Sequence, residues 1–125
     1  IIDYHVFNQS ELNTISKKRL EELKKYNILP LFFEKVDQFD SSLFFKENIK
    51  DYINNINFFT IDIEGAEVDV LNSINWEVFK PEIICVEMLS LNFDDIFEHE
   101  VYKILKSKGY NIYSKLVNSV IWLKN

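Results

Sequence analysis

Phe58-Phe59-Thr60-Ile61-Asp62-Ile63-Glu64-Gly65-Ala66-Glu67 is the stretch on which the fold turns. Phe58 to Ile63 is a continuous β-rich run. Unbroken rather than alternating apolar character points to a central parallel strand covered on both faces. Glu64-Gly65 breaks the run, and Gly65 permits a tight strand-to-helix turn. From Ala66 to Ile74 the spacing becomes helical, with Val70, Leu71 and Ile74 on the inner face and Trp76 and Phe79 continuing the packing. Pro81 resets the chain, and Ile83-Ile84-Cys85-Val86 reads as a second buried strand that ends at Glu87. Strand, helix, strand over about thirty residues is a βαβ unit.

Downstream, Ile96 to Lys108 has the spacing of one amphipathic helix, with Phe97, Val101, Ile104 and Leu105 on its apolar face. Gly109 stands where a left-handed cap is needed. Tyr110 to Tyr113 and Val120 to Leu123 then read as an antiparallel pair joined around Leu116-Val117-Asn118. Upstream the signals are shorter. Tyr4 to Phe7 reads as a strand, Ser10 to Thr14 as a polar loop, Ile15 to Tyr26 as a helix, and Leu31 to Val36 as a strand after Pro30. Asp40 and Ser41 precede a short capped helix, and Tyr52 to Asn55 resembles the end of another. The fold class expected is α/β: a partial Rossmann-like fold, with parallel strands, crossover helices and a C-terminal antiparallel hairpin.

The chain has 125 residues, 47% of them hydrophobic, which suffices for one compact core. It does not suffice for a complete doubly wound nucleotide-binding domain. The sequence begins at Ile1 and its only methionine is Met88, so it is expected to be a piece of a longer polypeptide. A net charge of −6 argues against nucleic-acid binding, because such a chain repels a phosphate backbone. Lys17-Lys18-Arg19 is then one solvated helix face. The single cysteine, Cys85, excludes an internal disulfide, and no apolar run reaches the ~20 residues of a membrane span. A cytoplasmic location is the default expectation.

Chemistry concentrates at the ends of the two apolar strands. In an open α/β sheet, ligands bind beyond the carboxyl ends of the strands. Asp62, Glu64 and Glu87 all fall there. Carboxylates in that position can hold a divalent cation, take a proton from a hydroxyl or amine, or balance a cationic ligand such as a sulfonium. Glu67 is read instead as an acidic decoration of the first helical turn. His99-Glu100-Val101-Tyr102-Lys103 lacks the second histidine of a zinc-protease helix. With only two glycines, the chain has no glycine-rich phosphate loop.

The run from Phe58 to Leu71 resembles the I-D-x-E-G-x-E-x-x-V-L segment of FkbM-type methyltransferases. Further pieces agree in order. Pro81 to Glu87 is similar to that family's P-x-I-I-x-V-E strand, Lys108-Gly109-Tyr110 to the start of its last hairpin, and Ser10 to Ser16 to its S-x-L-x-T-x-S loop. The resemblance implies a Rossmann-like methyltransferase domain, of which residues 1–125 are the C-terminal part, without the N-terminal cofactor-binding half. It implies S-adenosylmethionine as methyl donor and O-methylation of a sugar or other small hydroxylated acceptor. On this sequence it places Asp62 and Glu87 as catalytic and magnesium-binding residues, and Glu64 and Gly65 beside the cofactor. The rival reading is a non-catalytic half-domain, which associates as a homodimer or pairs with the missing N-terminal half through a bare strand edge.

Overall fold

A computed structural model describes residues 1–89 and 92–125. They divide into two units: Ile1–Phe39 with Ile63–Ala66, and Asp40–Asp62 with Glu67–Asn125.

In the smaller unit, strand β1 (Ile2–Val6) pairs antiparallel with β2 (Phe32–Val36), from Ile2↔Val36 to Val6↔Phe32. Between them lie a 3-10 turn (Ser10–Leu12) and helix α1 (Lys17–Lys25). The helix starts at Lys17 because the Ser16 hydroxyl accepts from the Arg19 N–H, which makes Ser16 its cap. It stops before Pro30 can act. Asn27 adopts φ 58°, and the Asn27 and Ile28 N–H groups bond back to the carbonyls of Lys24 and Leu23. Asparagine tolerates this left-handed conformation better than most residues, so it ends the helix. Phe7, Leu20 and Leu23 form a small core, with Leu12 against it.

The larger unit begins with α2 (Ser41–Asn48), whose cap Asp40 accepts from the Ser42 and Leu43 N–H groups. A hydrogen bond from the Ser42 hydroxyl, with these two from the backbone, holds the Asp40 carboxyl below its ordinary range. After a 3-10 turn (Ile53–Asn55) come β3 (Phe58–Ile61), α3 (Glu67–Ser73), β4 (Ile83–Glu87), α4 (Phe93–Glu98), α5 (Glu100–Ser107), β5 (Tyr110–Lys115) and β6 (Ser119–Lys124). The sheet order is β3-β4-β6-β5. Among the described residues only the β3–β4 pair is parallel; β6 runs antiparallel to both its neighbours. The architecture is therefore mixed α/β, with one parallel crossover and the expected C-terminal hairpin. Gly109 takes φ 87° at the end of α5, as its position required.

Two expectations need correction. The Phe58 run does not make a central strand: β3 has one neighbour among the described residues, and Phe58 is 56% exposed. Its burial alternates, because only the side bearing Phe59 and Ile61 is covered. Phe59 packs edge-on to Phe79 and Phe45. The segment from Ile96 to Lys108 is not one helix either. His99 has extended backbone (ψ 144°), and its Nδ1 accepts the Val101 N–H, so it closes α4 and caps α5. Phe97 is consequently half exposed, while Val101 and Leu105 stay buried.

The core of this unit lies against β4 and β6. Ile84, Val86, Val120 and Trp122 are fully covered. Trp76 donates from Nε1 to the Leu71 carbonyl (3.0 Å), and the Tyr110 hydroxyl donates to the Pro81 carbonyl (2.6 Å). These two bonds satisfy buried polar groups while fixing the chain on either side of Pro81.

Candidate active site

The parallel register of β3 and β4 runs from Phe58↔Ile83 to Ile61↔Val86. One step further in the same register sets Asp62 beside Glu87. Both strands thus end in a carboxylate at the same level, and carboxylate oxygens of the two residues lie within 4.8 Å of each other. Asp62 is exposed and Glu87 half-buried. Glu87 is held from the other side as well: it is the register partner of Ser119 in β6, and the next residue, Met88, donates its N–H to the Asn118 carbonyl (2.7 Å). The central strand therefore fixes the backbone of one acid, while the other stands at the end of the edge strand.

Two carboxylates this close repel unless something positive or a proton lies between them. The pair can accept a proton from a hydroxyl or offer hard oxygen ligands to a divalent cation.

Glu64 and Gly65 belong to the smaller unit's turn at Ile63–Ala66. Glu64 has φ 55° and Gly65 φ 104°. The glycine is needed on two counts. Its φ lies where side chains are strained, and a Cβ there would stand 3.1 Å from Ser16 Cβ. Close packing on Ser16 therefore accounts for Gly65 without a ligand.

Glu67 departs from its reading as a surface decoration. It opens α3 but is only 9% exposed, and it has interactions of its own. Thr14 was missed altogether. It sits in a segment whose polarity read as a solvated loop, yet it is fully buried, and its hydroxyl donates to the Glu64 carbonyl (2.9 Å). The threonine of the S-x-L-x-T-x-S pattern was the signal that could have found it. Cys85, in a strand that reads as buried, is partly exposed.

A cleft of about 450 Å³ elsewhere in the larger unit is lined by Leu43, Phe45, Lys46, Lys50 and Phe79 among others. Neither Asp62 nor Glu87 lines it, so this cleft and the acidic pair are separate features. No helix among the described residues is long and apolar enough to cross a membrane.

Residues 7–112 match the family model of the methyltransferase FkbM domain. No curated protein and no solved structure matches the chain. The match spans most of the sequence and contains both strand ends, the turn between β3 and α3 and the Thr14 loop, so this chain belongs to the FkbM methyltransferase family, whose methyl donor is S-adenosylmethionine.

Proposed function

We propose that this chain takes part in transferring a methyl group from S-adenosylmethionine to a hydroxyl oxygen of a saccharide or other small hydroxylated acceptor, with Asp62 and Glu87 at the reacting end. The observation that carries this reading is the pairing of two carboxylates at the ends of adjacent parallel strands within an FkbM domain. When bound, the donor supplies an electrophilic methyl group on sulfur. Asp62 or Glu87 would take the proton of the acceptor hydroxyl as that oxygen accepts the methyl group from sulfur. Much of the rate would come from holding the two reactants in line.

The donor set also fits magnesium. Mg²⁺ prefers oxygen ligands at ~2.0–2.1 Å and binds through one or two carboxylates. Asp62 and Glu87 supply two, with oxygens within 4.8 Å. A cation held there would make the acceptor hydroxyl more acidic.

The test is methyl transfer from labelled S-adenosylmethionine to a panel of saccharides. Asp62→Asn and Glu87→Gln should each lower turnover by about 10²–10⁴-fold at an unchanged melting temperature. Wild-type turnover in both folded variants would remove the pair from the reaction.

A second reading is association through the edge of β3, favoured by its single neighbour among the described residues and by the exposure of Phe58. An unpaired strand edge is a template for another strand, from a second copy or from a segment carrying the donor-binding strands. Sedimentation of the wild type beside Phe58→Lys tests self-association. A concentration-dependent dimer that the substitution dissolves would support it, and a monomer at all concentrations would remove it.

A further inference from the structure

We propose that the cleft lined by α2, the chain just after it and residues 75–79 binds a small amphipathic carboxylate, an aliphatic tail ending in one anionic group, as in a medium-chain fatty acid. Every residue that lines the cleft belongs to the larger unit. Neither Asp62 nor Glu87 is among them, so this site is independent of the methyl-transfer reading.

The space suits a small molecule. About 450 Å³ lies within the range of ligand sites, roughly 300–1,000 Å³. Buried Ile53 and Phe79 line its depth, and the half-exposed Leu43 and Val78 line its mouth. Its walls are already set. The rings of Phe45 and Phe79 stand 4.7 Å apart, and Phe59 packs edge-on to both. The Ser41 and Ser73 hydroxyls hydrogen-bond to each other, which ties the start of α2 to the end of α3. The Val78 and Phe79 N–H groups both donate to the Asn75 carbonyl (3.1 and 2.9 Å). A cleft held in this way loses little freedom when a ligand enters.

Apolar walls alone would accept any greasy molecule, and Lys46 and Lys50 select among them. In a chain of net charge −6, both charged residues that line the cleft are cations. Among the described residues, neither ammonium takes part in an ion pair. An anionic head beside them would supply the missing partner while its tail covers Ile53 and Phe79. The head is a carboxylate rather than a phosphate. Lys46 lies in the last turn of α2 and Lys50 just beyond it, at the negative end of the helix dipole. Phosphate sites favour the opposite helix end, or the fork of an arginine, and neither is offered here.

The test is calorimetric titration of the full chain with sodium octanoate, beside 1-octanol and sodium hexanoate. Octanoate should bind about tenfold more tightly than 1-octanol, which has the tail without the charge. It should also bind about tenfold more tightly than hexanoate, which buries two fewer methylenes. Lys46→Gln/Lys50→Gln should weaken octanoate to the level of 1-octanol. Val78→Trp, which fills the mouth from a half-exposed position, should abolish binding of both. If Val78→Trp does not fold, Val78→Phe is read the same way. A folded wild type that takes up no octanoate overturns the proposal, as does equal affinity for octanoate and 1-octanol, or octanoate binding that survives the lysine substitutions. Sedimentation tests a rival occupant: a wild-type dimer that Val78→Trp dissolves would mean that a second copy fills the cleft, and would overturn the proposal as well.

Discussion

In the four-stranded sheet Ile84, Val86, Val120 and Trp122 are fully buried, whereas in the two-stranded ribbon Phe32 and Phe33 are 50% and 59% exposed. Both regions are written in apolar and aromatic residues that read as strand. The difference lies in their neighbours. β4 and β6 are each paired on both sides, and Tyr102 of α5 lies against Trp122 of β6. A ribbon of two strands has no interior strand, and two strands alone are marginal in water. Its specificity comes instead from the register of β1 and β2, from the ion pair between Lys35 and Asp3, and from the core of Phe7, Leu20 and Leu23. An apolar run therefore specifies a strand in both units, but it specifies burial only where a sheet supplies flanking partners.

The largest effect that would sharpen this contrast belongs to Trp122. Trp122→Ala should cost about 3–5 kcal/mol of unfolding free energy, measured by urea denaturation, because it removes the largest fully buried side chain of the sheet. A loss below about 1 kcal/mol would break the comparison, since that is the scale of an ordinary surface change. Gly65→Ala comes next, at about 1–3 kcal/mol, from a side chain forced to positive φ and against Ser16. Thermal unfolding checks it, and an unchanged midpoint would mean the turn can relax freely.

Tyr110 gives a smaller effect that depends on pH. Burial pushes its hydroxyl from an ordinary 10.0 up to about 12. The folded state then keeps the proton after the unfolded chain has lost it. The stability tied to this group is complete below pH 10 and is lost as pH rises toward 12, at up to about 1.4 kcal/mol per unit. Tyr110→Phe should flatten that decline in denaturation curves taken between pH 9 and 12; an identical slope would show that another group carries it. The smallest effect is expected in the ribbon, where Phe33→Ser should stay within about 0.5 kcal/mol of wild type. A larger loss would mean that this face is covered in solution, which would break the contrast from the other side.

Much of the larger unit was legible because its signals are local. The apolar runs ending at Asp62 and Glu87 gave the strands, the spacing of Leu71 and Ile74 gave the helix between them, and Gly109 gave the start of the hairpin. The parallel register then follows from the crossover, and with it the meeting of the two carboxylates. What stayed hidden depends on partners far away in sequence. Nothing near Phe58 tells that its strand has a single neighbour among the described residues. Nothing near Glu67 tells that the first turn of α3 faces inward. Thr14 looks like any polar loop residue until Glu64, fifty positions later, arrives to accept its hydroxyl. The break at His99 is local but ambiguous, because the apolar spacing continues across it while an imidazole takes over a cap.

The most direct test of the Asp62–Glu87 pair as the working end of an FkbM methyltransferase is calorimetric titration of the folded chain with S-adenosylmethionine, with and without magnesium, in the wild type and in the Asp62→Asn/Glu87→Gln double variant. The expected result is donor binding by the wild type that magnesium strengthens, and loss of that strengthening in the double variant. Donor binding that ignores magnesium and both substitutions, or no binding at all by a folded wild type, would contradict it.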